Sequence, residues 1–232
     1  QGVYPLSMTD APAASALLHR EVFSRMHLED GHELTAGQFV PMAARHGLLE
    51  AIDRTGLELL FAALTADPSG VKYSCNLSSE ALRHPAFTHW LLERLDKLGP
   101  LAASLVFEVT DFAAQTAASE LAGFSVAVRQ RGAALAIDQF GLSAGGFQVL
   151  RAVLPDYVKL AGSLVQDVQD GDEKHFYLES VCRIATSLNI PVIATCIENP
   201  EQFSMLCTLG IKAVQGNAVA PVQPLSGKNG PN

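Results

Sequence analysis

Glu21, Asn76, Glu108, Asp138, Lys159, Glu198 and Gln215 each stand at the end of a short apolar run. The runs read REVFSRM near the start, then KYSCNLS, LVFEVTD, ALAIDQF, DYVKLA, PVIATCIE and IKAVQG. If these runs are parallel strands of one barrel, their C-terminal ends gather the polar groups into a single mouth, where barrel enzymes build their sites. Carboxylates with an amide oxygen are ligands for hard cations such as magnesium or calcium. The residues beside them point the other way. Gln139 follows Asp138, Ala161 lies two beyond Lys159, and Thr195 stands three before Glu198. A working metallohydrolase would want a carboxylate at each of these places, so the pattern is that of a hydrolytic mouth without its full chemistry.

The elements that must position such a mouth are legible as an alternation. Strand-like apolar runs are separated by segments with helical spacing, at Ser79–Leu98, Phe112–Arg131 and Ser163–Leu188. Turn signals precede successive strands: Gly99-Pro100, Arg131-Gly132, Leu154-Pro155-Asp156 and Asn189-Ile190-Pro191. Repeated βα units give either an open doubly wound sheet or a closed barrel. No strand is followed by a Gly-rich phosphate loop, since Gly145-Gly146 lacks both the spacing and the lysine, which disfavours the open sheet. The stretch from Met8 to Ala16 reads as a loop and Pro224 to Asn232 as a frayed tail.

Composition bounds the function classes. The chain has 232 residues, 48% of them hydrophobic and 17% charged, enough for one large core. No apolar run reaches the roughly 18 residues of a membrane span. A net charge of −8 argues against nonspecific binding of DNA or RNA, although a small nucleotide needs only one or two arginines. Cys75, Cys182, Cys196 and Cys207 form no C-x-x-C pair, and Cys75 and Cys196 read as buried free thiols inside strands in a reduced, cytoplasmic setting. The histidines show no zinc-binding spacing and read as surface residues.

The order of these motifs resembles the EAL domain family, which hydrolyses or senses cyclic di-GMP, over almost the whole chain, Val3 to about Leu225. The opening Glu-Ala-Leu with its arginine appears as Glu21-Val22-Phe23-Ser24-Arg25, and Gly-Leu-Ile…Asp as Gly47-Leu48-Leu49…Asp53. The asparagine strand is Ser74-Cys75-Asn76-Leu77-Ser78, Glu-x-Thr-Glu is Glu108-Val109-Thr110-Asp111, and Asp-Asp-Phe-Gly is Asp138-Gln139-Phe140-Gly141. Lys-x-Asp is Lys159-Leu160-Ala161, Ala-Glu-Gly-Val-Glu is Ala194-Thr195-Cys196-Ile197-Glu198, and the late Gln-Gly is Gln215-Gly216 with Pro221 beyond.

That resemblance implies an α/β fold, a modified TIM-like (β/α)8 barrel with an antiparallel first strand, filled by residues 1–232 as one domain of a longer signalling protein. It implies that Glu21, Asn76, Glu108 and Asp138 hold a first magnesium or calcium ion, with Lys159 beside them. The second cation would lean on the position of Gln139, the general base falls on Thr195, and a further carboxylate falls on Ala161. The Leu142-Ser143-Ala144-Gly145-Gly146 loop also departs from the family's usual residues, as does Tyr4, which replaces a glutamine of the first strand. These departures resemble the degenerate receptor branch of the LapD and FimX type. In such a receptor Arg25 meets a phosphate, Asp53, Glu198 and Gln215 supply polar contacts, and Phe23, Phe203 and Pro221 supply apolar surface. No catalytic residue and no required cofactor are expected. A protein partner or homodimer is expected, with the domain itself off the membrane and in the cytoplasm, as the cytoplasmic module of an inner-membrane protein or otherwise. The alternatives are an interaction regulator that no longer binds nucleotide, and a weak phosphodiesterase.

Overall fold

The computed structural model describes residues 1–6, 17–68, 70–143, 145–166, 168, 171–223 and 225. The loop expected over Met8–Ala16 and nearly all of the tail expected from Pro224 lie outside them.

The chain opens with β1 (Gly2–Pro5) and β2 (His19–Val22), then leaves the barrel as a hairpin of β3 (Arg25–His27) and β4 (Glu33–Thr35). Helices α1 (Ala36–Arg45) and α2 (Leu49–Ala66) return it to β5 (Tyr73–Asn76). The βα alternation follows: α3 (Ser79–Arg83), α4 (Pro85–Leu98), β6 (Leu105–Thr110), α5 (Asp111–Thr116), α6 (Ala118–Arg129), β7 (Ala134–Phe140), α7 (Gly146–Val153) and β8 (Tyr157–Leu160). It closes with α8 (Gly162–Val165), α9 (Glu173–Ser187), β9 (Val192–Ala194), α10 (Phe203–Thr208) and β10 (Ala213–Val214).

The barrel is closed in the order β1-β10-β9-β8-β7-β6-β5-β2, with β1 hydrogen-bonded back to β2. β1 runs antiparallel to both neighbours, and the remaining barrel pairs are parallel, as expected for the modified barrel. A strand covered on one face by helices and on the other by the barrel interior reads as a near-continuous apolar run. β6 shows this, with Leu105, Val106, Phe107 and Val109 all sealed from solvent, and Glu108 sealed among them. The turns named from the sequence carry the backbone they need. Gly99 and Gly132 take positive φ, and so do Leu154 and Asn189, each ending a helix shortly before the next strand.

Each long helical segment is broken in two. The break between α3 and α4 falls at His84, held extended (φ −93°, ψ 106°) because the next residue is Pro85. Pro85 then serves as the first residue of α4, where its missing N–H costs nothing. Between α5 and α6 the break is Ala117 at φ −135° and ψ 37°. The REVFSRM run is likewise split, since Phe23 and Ser24 separate β2 from β3, and β3 pairs with β4 instead of the barrel. Cys196 corrects a second expectation: β9 ends at Ala194, and Cys196 is exposed in a left-handed turn (φ 58°) rather than buried in a strand. Among the described residues, no helix is long and apolar enough to cross a membrane.

Candidate functional site

Side chains alternate along a strand, so residues two apart share a face. On β2 that rule sends His19 and Glu21 together into the barrel, and both are buried. Neighbouring strands bring in the rest: Glu108 from β6 opposite Asn76 of β5, Asp138 from β7, Lys159 from β8 and Gln215 just past β10. Asp138 sits where the β7–β8 register shifts between Ile137 and Phe140. The next residue, Gln139, takes a left-handed φ of 54° and is exposed. Gly216 holds Gln215 in place by close approach. A Cβ at Gly216 would lie 2.1 Å from the Ile197 carbonyl oxygen, while Ile197 N–H donates to the Gln215 carbonyl.

At the centre is an ammonium group. Lys159 Nζ donates to Glu21 Oε2 and to Glu108 Oε2, both at 2.6 Å, and lies 3.9 Å from Asp138 Oδ1. Glu21 is bound from three sides, since Gln215 Nε2 donates to its Oε2 at 2.7 Å and Asn76 Nδ2 to its Oε1 at 3.0 Å. Burial alone would pull the Lys159 ammonium toward neutrality, but Glu108, Glu21 and Asp138 outweigh it and hold the amine well above its ordinary range. Burial alone would raise Glu21, but the Lys159 charge and these hydrogen bonds bring it below the usual carboxylate range. For Glu108 and Asp138 burial outweighs the attraction of Lys159, and both are pushed up.

His19 corrects the reading of the histidines as surface residues. It is fully buried, with Nε2 4.0 Å from Glu108 Oε1 and its ring 5.7 Å from that of Tyr157. Burial, with Lys159 close by, pushes it down to about 4, so it is neutral near pH 7. The signal was present in the sequence as the two-residue spacing of His19 and Glu21.

The residues expected to hold a cation, Glu21, Asn76, Glu108 and Asp138, come together here, each close to Lys159 or to Glu21. The Lys159 amine stands among the carboxylates, and Asn76 presents its nitrogen, not its oxygen, to Glu21. Among the described residues, no group of three His, Cys, Asp or Glu side chains is spaced to hold a metal ion. Glu108 Oε1 and Gln215 Oε1 are nevertheless buried acceptors without a hydrogen-bond donor.

The other candidate residues stand apart from this cluster. Arg25 is on the β3–β4 hairpin, paired with Glu33 at 3.3 Å. Asp53 is on α2, where its Oδ2 accepts from the Ser78 N–H at 2.9 Å and hydroxyl at 2.6 Å. Ser78 Oγ in turn accepts from Ala81 N–H, so Asp53 braces the start of α3. Burial pushes the Asp53 carboxyl up to about 6 against these two hydrogen bonds. Phe23 is half-buried between β2 and β3, and Phe203 packs against the core from α10. Glu198 and Pro221 are exposed beyond β9 and β10. Thr195 Oγ1 donates to the Leu160 carbonyl at 2.7 Å, and the Ala161 methyl is buried beside it.

A second cluster governs the loop after β7. Asp111, buried at the start of α5, accepts from Ser143 Oγ at 2.6 Å, from Gln115 Nε2 at 3.0 Å and from Gly141 N–H at 3.4 Å. Tyr177 of α9 donates to the Gly141 carbonyl at 2.7 Å. The part of the altered loop that is described is therefore anchored on both sides.

Comparison with known proteins finds relatives along most of this chain. Cyclic di-GMP phosphodiesterase PdeF of Escherichia coli is 28% identical over 211 residues, which cover 90% of this chain and 28% of PdeF. Cyclic di-GMP phosphodiesterase PdeB of Shewanella oneidensis is 25% identical over 217 residues, covering 92% of this chain and 25% of PdeB. The chain thus spans little more than a quarter of the length of these relatives. Among solved structures, the S helix-GGDEF-EAL portion of Vibrio cholerae LapD bound to c-di-GMP superimposes with a TM-score of 0.80 at 27% identity, covering 93% of this chain and 52% of that one. The profile of the EAL domain matches residues 9–222, and with that match spanning most of its length the chain belongs to the EAL domain family.

Proposed function

We propose that this EAL domain is a receptor for cyclic di-GMP that does not hydrolyse it, needs no metal cofactor, and relays binding to a protein partner or to a second copy. The observation that carries the reading is the state of the three substituted positions. Hydrolysis by two cations needs carboxylates to hold the second ion and a base to take a proton from water. Thr195 commits its hydroxyl proton to the Leu160 carbonyl, Ala161 offers only a methyl, and Gln139 brings no charge from its exposed turn. Binding asks for less. Arg25 supplies charge for a phosphate, Asp53, Glu198 and Gln215 supply polar contacts, and Phe23, Phe203 and Pro221 supply apolar surface. The LapD structure, solved with c-di-GMP bound, supports the choice of ligand.

The test is a calorimetric titration of the domain with cyclic di-GMP, in magnesium and in excess EDTA. Affinities within a few-fold of each other support a metal-independent receptor. A large loss on chelation would show that Glu21, Asn76, Glu108 and Asp138 still assemble a metal site around the ligand. One observation favours a second reading, a slow phosphodiesterase: Glu21, Glu108 and Asp138 all face one point, and relatives such as PdeF carry that activity in their names.

A further inference from the structure

His19, Ser74 and Glu108 are fully buried, yet each carries a polar atom that the fold leaves unpaired. Among the described residues, His19 Nδ1 and Nε2, Ser74 Oγ and Glu108 Oε1 have no hydrogen-bond partner. The strand order brings these side chains together. β5 lies between β2 and β6, and Ser74 is level with Glu21 and two residues before Asn76, on the face that turns both into the barrel. Its hydroxyl therefore enters the interior between His19 of β2 and Glu108 of β6. Ala136, level with Glu108 on β7, adds only a methyl and leaves room beside the carboxylate.

His19 Nε2 stands 4.0 Å from Glu108 Oε1, too far for a hydrogen bond and a span that one bridging water covers. A neutral imidazole has one N–H to give and one lone pair to fill, a hydroxyl has both, and a carboxylate oxygen accepts. Such a set is completed by water, and buried polar groups are seldom left without a partner. Tyr157, on the opposite side of the barrel, packs its ring 5.7 Å from that of His19 and keeps the imidazole in place.

We propose that the barrel interior binds an ordered water between His19, Ser74 and Glu108, and that through it His19 is a positioning residue for Glu108. Glu108 Oε2 is held by Lys159 at 2.6 Å and Oε1 by the water, so both oxygens of the carboxylate are fixed. The site lies beneath the mouth whether the domain binds or hydrolyses a nucleotide, and its test contains none.

Two measurements test this. A crystal structure of the wild-type domain, at a resolution that shows water, should place one oxygen within about 3.2 Å of both His19 Nε2 and Glu108 Oε1. A direct bond between those two atoms, or a dry gap, overturns the proposal, and this arm needs no variant. The second measurement follows the ¹³C signal of the Glu108 carboxyl carbon in His19→Phe and His19→Gln, each shown to be folded by circular dichroism. His19→Phe keeps a ring without nitrogen, whereas His19→Gln keeps a donor and an acceptor. The signal should move in His19→Phe and return toward its wild-type position in His19→Gln. A role in packing alone predicts that the ring-bearing variant stays nearer to wild type. That order, or a signal that does not separate the two variants, overturns the positioning role.

Discussion

Lys159 and Glu108 meet at 2.6 Å with their side chains 1% and 0% exposed, a contact that joins β8 to β6 across the interior of the barrel. It links residues 51 apart in sequence, and Glu21, 138 residues from Lys159, completes it from β2. The same contact is a structural tie and the main occupant of the candidate site.

Lys159→Met should be strongly destabilising, because it leaves buried carboxylates without their cation. Breaking one member of a buried pair costs about 3–5 kcal/mol. Urea denaturation should show a loss in that range, and the double variant Lys159→Met with Glu108→Gln should recover part of it, since a neutral amide replaces one stranded charge. A loss below about 1 kcal/mol in the single variant would contradict the assigned pairing.

Asp53 gives a pH signature with a defined sign. Its folded carboxyl titrates at about 6, above the ordinary value of 3.8, so the folded state holds a proton that the unfolded state has already lost. Stability from this group is complete below the ordinary value and falls as pH rises toward 6, then levels off. Two units correspond to at most roughly 3 kcal/mol. Asp53→Asn keeps an oxygen for the two Ser78 hydrogen bonds and removes the charge. The difference in unfolding free energy between variant and wild type should therefore grow in the variant's favour from pH 4 to 6. A difference that stays flat or runs the other way would refute the assignment.

Much of the barrel was legible because its strands are buried on both faces and read as unbroken apolar runs closing on a polar residue. The antiparallel β1 came from the resemblance to the family, since Gly2–Pro5 is too short to show direction by pattern. What escaped the sequence was local. A run such as REVFSRM has no mark where β2 stops, so Arg25 looked continuous with Glu21 although it sits on the hairpin with Glu33. His19 was missed because seven scattered histidines show no ligand spacing, while a buried one needs only to share a pleat with Glu21. Cys196 was misplaced because the left-handed turn after Ala194 is taken by a residue that rarely adopts it. The role of Lys159 was beyond reach of the sequence, since no spacing tells which of several inward groups meets another across a barrel.

Arg25→Ala should weaken cyclic di-GMP binding by about 1.5–3 kcal/mol, the scale of a charge-assisted hydrogen bond. Gln139→Ala, which removes a side chain hydrogen-bonded to Asp138 from an exposed turn, should change it far less. Calorimetry on the two variants separates them. Equal effects would mean that the hairpin carrying Arg25 is not part of the binding surface.

The central claim is binding without turnover, and one measurement addresses it most directly. Cyclic di-GMP at a defined excess is incubated with the domain in magnesium or manganese, bound nucleotide is measured at equilibrium, and the solution is then resolved chromatographically. The account predicts saturable binding with the cyclic dinucleotide recovered intact and linear pGpG at background. Multiple turnovers to pGpG would contradict it, and so would the absence of any saturable binding.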